Sequence, residues 1–154
     1  MVSPELLRRY PFFHFMNDTE LKAVAMIADE VTFEKDEIIF DAKMPAKILY
    51  FLEEGSAANF YVVENGGKIH KELYIGNVNP GELFGISALI EPYMYTATMR
   101  ADKKCRVINI EASALRALCE VDTHLAYALM QETAKAVMLR LEDTRVQLAA
   151  AQAK

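Results

Sequence analysis

Between residues 30 and 110 the chain is broken into short runs of β-branched and aromatic residues, each closed by turn residues. This punctuation limits the possible folds more than any other feature. The runs are VTF (31–33), EIIF (37–40), KILYFLEEG (47–55), ANFYVV (58–63), KIHKELYI (68–75) and CRVINI (105–110). Many short strands at near-regular spacing point to a sandwich or barrel, not a parallel sheet. Asn65-Gly66 is the strongest hairpin signal, because both central residues of such a turn need positive φ. Two turn-rich breaks, Asp41 to Ala46 and Asn77 to Gly81, divide the strands into groups.

Helical patterns flank this region. Ser3 before Pro4 combines a cap residue with proline at the first helical position. Leu6, Leu7, Tyr10 and Phe13 follow at helical spacing until Pro11 and the aromatic cluster disturb it. Asn17 starts a second helix with Glu20 as its capping-box partner, and Leu21, Val24, Ala25 and Ala28 form its apolar face. After the strands, residues 111–120 read as a short amphipathic helix with Ala114, Leu115 and Leu118 on one face. Asp122 then caps a long helix to about Ala150, in which Met130, Ala134, Val137, Leu141, Thr144 and Leu148 form a heptad seam. At 1.5 Å per residue it would reach roughly 40 Å, more than one small domain covers, so part of the seam needs a partner. The expected division is a β domain over 1–120 and a dimerisation helix over 121–154.

Composition excludes several classes of function. The 154 residues are the size of one domain, and 53% hydrophobic against 25% charged residues supplies a core. A net charge of −5 is wrong for nonspecific nucleic-acid binding, which needs a basic face. No apolar run approaches the roughly 18 residues of a membrane span, and Glu5, Arg8 and Arg9 interrupt any signal peptide. Cys105 and Cys119 are too few for a disulfide framework, and His14, His70 and His124 lie in separate segments without ligand spacing. No catalytic signature such as GxSxG, HExxH or GxxxxGK[ST] is present. The expectation is a cytoplasmic protein with no catalytic residues, no metal site and no membrane association.

The order of elements, with three stretches of sequence, resembles a known family. LYFLEEGSAANFY, with Gly55 at its turn, PGELFGISALIEPYMYTATMRA (80–101) and RLEDTRVQL (140–148) are similar to the strand–turn–strand, phosphate-binding cassette and dimerisation-helix end of cyclic-nucleotide-binding domains. The type is that of the catabolite activator and the fumarate-nitrate regulator. LLRRYPFFHFMNDTELKAVA resembles the family's helical lead-in. The resemblance implies a mainly β fold, an eight-stranded antiparallel β-roll (a double-stranded β-helix or jelly roll) with N-terminal helices and a long C-terminal helix.

It also implies a ligand site, from which this chain departs. Ligand-binding relatives read approximately FGE-x-AL and then Arg-x-[Ala/Ser/Thr]-Thr. The backbone of the cassette's short helix receives the cyclic phosphate, the glutamate takes the ribose hydroxyl, and the arginine pairs with phosphate oxygens. Here Phe84, Gly85, Ala88, Leu89, Ala97 and Thr98 match, but Ile86 stands at the glutamate position and Tyr95 at the arginine position. Strand alternation turns Arg100 away, and Lys103 and Lys104 lie beyond the strand, so neither replaces the arginine. Losing one partner of a buried charge pair costs about 2–5 kcal/mol. The candidate ligand residues are therefore the cassette Phe84, Gly85, Ile86, Ser87, Ala88, Tyr95 and Thr96, with Tyr61 and Leu73. Val63, Ile75, Tyr93 and Met94 extend this lining, which suits an apolar or planar molecule or fills itself.

The resulting expectation is a non-enzymatic sensor or regulatory module that does not take cyclic nucleotides in the usual way. It would hold no cofactor and act through an unidentified protein partner. The homodimer would be made by Met130, Ala134, Val137 and Leu141. Arg140 and Arg145, at g and e, would face each other across a parallel pair and loosen the far end. The family's regulators continue into a helix-turn-helix domain, whereas this chain stops at AAAQAK, and from Asp122 onward its acids and bases balance. DNA binding by this chain alone is not expected. Two alternatives remain: a sensor of another small molecule (an apolar compound, or haem with His70 as ligand), and residual cyclic-nucleotide binding. An enzyme of the cupin-like class would need clustered metal-binding histidines, which the sequence lacks.

Overall fold

The computed structural model describes residues 1–153, apart from the side chains of Ile69 and His70. Eight strands form two four-stranded antiparallel sheets. They are β1 (Ala28–Phe33), β2 (Ile38–Phe40), β3 (Ile48–Glu54), β4 (Ala57–Asn65), β5 (Lys68–Val78), β6 (Leu83–Phe84), β7 (Thr98–Ala101) and β8 (Cys105–Glu111). One sheet has the order β1-β8-β3-β6 and the other β2-β7-β4-β5. The apolar core lies between them, with Leu49, Phe51, Val107 and Ile108 from the first sheet and Phe40, Val78 and Met99 from the second. The mainly β architecture with flanking helices is as expected. Two strands lack a run of their own in the sequence reading: β6 and β7 are two and four residues long and both lie in the cassette region.

The N-terminal segment is held by its caps. Helix α1 (Pro4–Arg8) starts with the Ser3 hydroxyl accepting from Leu6 N–H. Pro11 then opens a separate 3-10 turn (Pro11–Phe15) instead of merely ending the helix. That turn places Phe12 and Phe13, with Tyr10, around the fully buried Phe51, with ring centroids 5.2, 5.0 and 5.2 Å away. Helix α2 (Asp18–Met26) has both bonds of the Asn17–Glu20 capping box. Ala28, read as helical, instead begins β1, where it pairs with Ile110. The hairpin is also shifted by one residue. Asn65 closes β4 opposite Lys68, and the left-handed pair is Gly66 and Gly67, which carry no Cβ penalty there. Gly55 is obligatory: at φ +101°, a Cβ would lie 2.4 Å from the Lys104 carbonyl oxygen.

Helix α3 (Ala112–Val121) is capped by Glu111, and α4 (Thr123–Gln152) by Asp122, which accepts from Leu125 N–H at 3.0 Å. The 30 residues of α4 give it a length of about 45 Å. Leu125, Leu129, Thr133 and Ala136 are buried against the rest of the chain, and Arg140 and Asp143 continue this stripe. The contact with β5 is close, since a Cβ on Gly76 would meet the Asp143 carboxyl at 2.8 Å. At the start of α4, His124 Nδ1 lies 2.8 Å from Oε2 of the buried Glu20, tying α4 to α2.

That hydrogen bond and the Glu20 charge raise the pKa of His124 from its ordinary 6.5. Folding therefore favours the protonated imidazole. The stabilisation is full below about pH 6.5 and is lost as pH rises through the higher folded value. Thermal unfolding measured from pH 6 to pH 8.5 should show a midpoint that declines with pH. His124→Gln should flatten that decline, and an unchanged slope in the variant would refute the assignment.

Candidate functional site

The site is built around a stack of four aromatic rings that bridges the two sheets. Phe40 (β2) and Tyr95 (just before β7) stack at 3.8 Å and 16°. Tyr50 (β3) lies 5.6 Å from Phe40 and 5.0 Å from Phe84 (β6), with all planes within 25°. Tyr95 is only 5% exposed, and its hydroxyl donates to the Ile48 carbonyl at 2.6 Å and accepts from Ile48 N–H at 3.3 Å. Burial raises the pKa of both Tyr50 and Tyr95, so both phenols stay neutral. Gly85, at φ +72°, passes so close that a Cβ would lie 2.9 Å from the Tyr50 ring.

Beside this stack lies a recess of about 250 Å³. Its walls are Phe40, Leu83, Phe84, Gly85, Ile86 and Ser87 on one side and Tyr95, Thr96, Ala97 and Met99 on another. Asn59 of β4 contributes an amide, and α4 closes the remaining side with Ala136, Val137 and Arg140. Ser87 belongs to a short 3-10 turn (Ile86–Leu89). Of the residues singled out from sequence, Phe84, Gly85, Ile86, Ser87, Tyr95 and Thr96 line this recess. Ala88 lies wholly buried beneath, its carbonyl accepting from Arg116 at 2.6 Å.

Tyr61 and Leu73 do not belong to it. They pair across β4 and β5 and are 53% and 37% exposed. The ladder slips just before this pair: Asn59 faces Gly76 and Phe60 faces Tyr74, so the extra residue, Ile75, bulges from β5. Tyr61, Val63 and Met94 instead border a separate depression reached past Tyr95 and Thr96. Tyr93 stacks under the Arg116 guanidinium at 4.0 Å. Arg100 turns away as expected, pairing with Glu72 at 3.0 Å over the Phe60 ring.

The charged group that reaches the recess comes from α4. Arg140 Nη2 donates to Glu82 at 2.8 Å, and its Nε lies 3.6 Å from Asp143. Burial raises the pKa of Asp143 despite Arg140 beside it. Arg140 therefore packs on its own β-roll. The sequence carried the signal: Leu125, Leu129, Thr133, Ala136, Arg140 and Asp143 recur at spacings of four and three, one residue out of phase with the seam. Met130, Val137 and Leu141 of the seam are exposed, as is Ala134, so this stripe is uncovered in the single chain.

Among the described residues one group offers ligand atoms within 4.8 Å of one another, Glu20, Asp122 and His124. Its geometry is accounted for by capping, because Glu20 accepts from Asn17 N–H and Asp122 from Leu125 N–H. The side chain of His70, the haem candidate, lies outside the described residues. No helix among the described residues is long and apolar enough to cross a membrane.

Comparison with known proteins places this geometry. A family model of the cyclic nucleotide-binding domain matches residues 30–122. A crystal structure from Geobacter metallireducens, of a protein named for cyclic nucleotide binding, is 38% identical with a TM-score of 0.78, covering 92% of this chain and 99% of that one. The N-terminal domain of a transcriptional regulator from Streptomyces coelicolor is 26% identical with a TM-score of 0.64, covering 86% and 92%. A Rhodopseudomonas palustris protein named as a potassium channel is 23% identical over 85% of this chain, which spans 30% of that protein's length.

The ion pair between Arg140 and Glu82 should measurably hold α4 to the roll. A double-mutant cycle with Arg140→Gln and Glu82→Gln, read by urea unfolding at fixed protein concentration, should give a coupling energy of about 1 kcal/mol. A coupling indistinguishable from zero would mean that apolar contacts alone hold the helix.

Proposed function

Because the chain belongs to the cyclic nucleotide-binding domain family, we propose that it is a cytoplasmic, non-enzymatic regulatory module without a resident cofactor, whose pocket has lost its cyclic-nucleotide chemistry. The observation that carries this reading is Tyr95. It stands where relatives place the phosphate-binding arginine, and its hydroxyl is spent on the backbone of Ile48. Ile86 likewise presents an alkyl group where the ribose-binding carboxylate belongs, and Arg140 is already paired with Glu82. A cyclic nucleotide entering here would lose solvation at its phosphate and gain no free cation.

The mode of action we infer is through protein contacts. The uncovered stripe from Met130 to Leu141 supports a two-fold dimer along α4, since a heptad seam left in water buries its apolar side chains by pairing with a second copy. Val137 belongs to both this stripe and the recess wall, so pocket and dimer share a side chain. Along α4, Glu132, Glu142 and Asp143 stand among Lys135, Arg140 and Arg145, which gives no basic face for DNA. A second reading, that the module senses another small molecule, is favoured by the open volume beside the aromatic stack.

Two measurements test the proposal. Calorimetry with cyclic AMP or cyclic GMP should show no binding at about 100 μM, equivalent to a binding free energy weaker than about −5.5 kcal/mol. Micromolar binding would overturn the reading. Sedimentation at tens of micromolar should give a dimer, and Leu141→Glu, chosen because Leu141 lies outside the recess wall, should shift the mass to monomer. A monomeric wild type would refute the dimer.

A further inference from the structure

We propose that the recess selects a neutral, planar ligand bearing a carbonyl or amide group, recognised by Asn59 and Arg140, and excludes anions. This rests on the reading that the recess is a ligand site.

Two polar side chains in its wall carry atoms without a hydrogen-bond partner among the described residues. Asn59 is more than nine-tenths buried, its Oδ1 is sealed from water, and its side-chain amide makes no hydrogen bond among the described residues. Arg140 Nε and Nη1 are buried without a hydrogen-bond acceptor, although Nη2 is satisfied by Glu82. Buried polar atoms left unpaired are uncommon, and in a concave apolar site they mark where a ligand supplies the missing bonds. One group offers an acceptor and the other donors, so a ligand with both a carbonyl and an N–H or O–H answers them. The remaining walls, above all Phe40, Phe84, Tyr95 and Met99, are rings and thioether suited to a flat apolar body.

Charge arithmetic decides between a neutral ligand and an acid. At this side of the recess one guanidinium faces two carboxylates, Glu82 at 2.8 Å and Asp143 at 3.6 Å, a formal balance of −1. An entering carboxylate or phosphate would meet that excess in a half-buried setting where screening is weak. A carbonyl takes an Arg140 N–H without adding charge. Arg140 thus acts as a hydrogen-bond donor whose charge is already spent, and the two acids discriminate against anions.

Benzamide and benzoate share a shape and differ in charge, so they form the test pair, with toluene as an apolar control. Titrations followed by backbone and side-chain amide resonances should show benzamide moving Gly85, Ser87 and the Asn59 side chain at millimolar concentration. Benzoate should bind at least tenfold more weakly. Glu82→Gln with Asp143→Asn should narrow or reverse that preference, whereas Asn59→Leu should weaken benzamide and leave toluene unaffected. Benzoate binding as well as benzamide to the wild type would overturn the neutral class while leaving a ligand recess. Toluene alone binding would overturn the polar recognition. Silence from all three would remove the recess as a ligand site, and micromolar cyclic AMP on the same resonances would instead refute the reading that the nucleotide chemistry is lost.

Discussion

The contact on which the rest of the structure depends is the stack of Phe40 and Tyr95 upon Tyr50 and Phe84. Two of these rings come from one sheet and its approach strand and two from the other, so the stack fastens the roll across its core. Burying four aromatic side chains face to face contributes both area and ring–ring attraction, about 0.5–1.5 kcal/mol per pair beyond the area alone. The Tyr95 hydroxyl then finds its partners in the Ile48 backbone, which leaves no polar end pointing into the recess. One residue thereby has two consequences. It closes the fold where the β3 and β7 segments meet, and on the reading proposed above it removes the cation that a cyclic phosphate would need.

A second constraint is the division of α4 into two stripes. A helix of about 45 Å cannot spread its whole apolar surface over a roll of this size. One stripe, from Leu125 to Ala136, is buried in the chain and continues into the Arg140–Glu82 ion pair. The adjacent stripe, Met130 to Leu141, is exposed in the single chain. Because the stripes adjoin, Val137 touches the recess from the edge of the exposed stripe. On the dimer reading proposed above, a change in the recess that moves α4 would be felt along that stripe.

Much of this was legible in the residues. Ser3, Asn17 with Glu20, and Asp122 act as helix caps where their spacing said they would, because capping is a local contest between a side chain and the nearest backbone N–H groups. The strand runs were legible for the same local reason, through branched and aromatic residues between turns. The shortest strands were not, because β6 and β7 owe their conformation to the neighbours they pair with and not to their own composition. Tyr61 and Leu73 followed from the family resemblance and from no local pattern, and in the fold they pair with each other across β4 and β5, outside the recess.

By itself the sequence determined where helices begin, which stretches extend, that the chain turns near Asn65 and Gly66, and that the cassette stretch carries Ile86 and Tyr95 in place of charged residues. Each of these depends on residues a few positions apart or on the identity of a single side chain. Only the tertiary structure decided what surrounds them: a Tyr95 hydroxyl bound to Ile48, an Asn59 amide without a partner among the described residues, and Arg140 brought from α4 to meet Glu82, 58 residues away in the chain. Those meetings are set by how a 30-residue helix lies on β5, with Asp143 against Gly76, and no local preference encodes that distance.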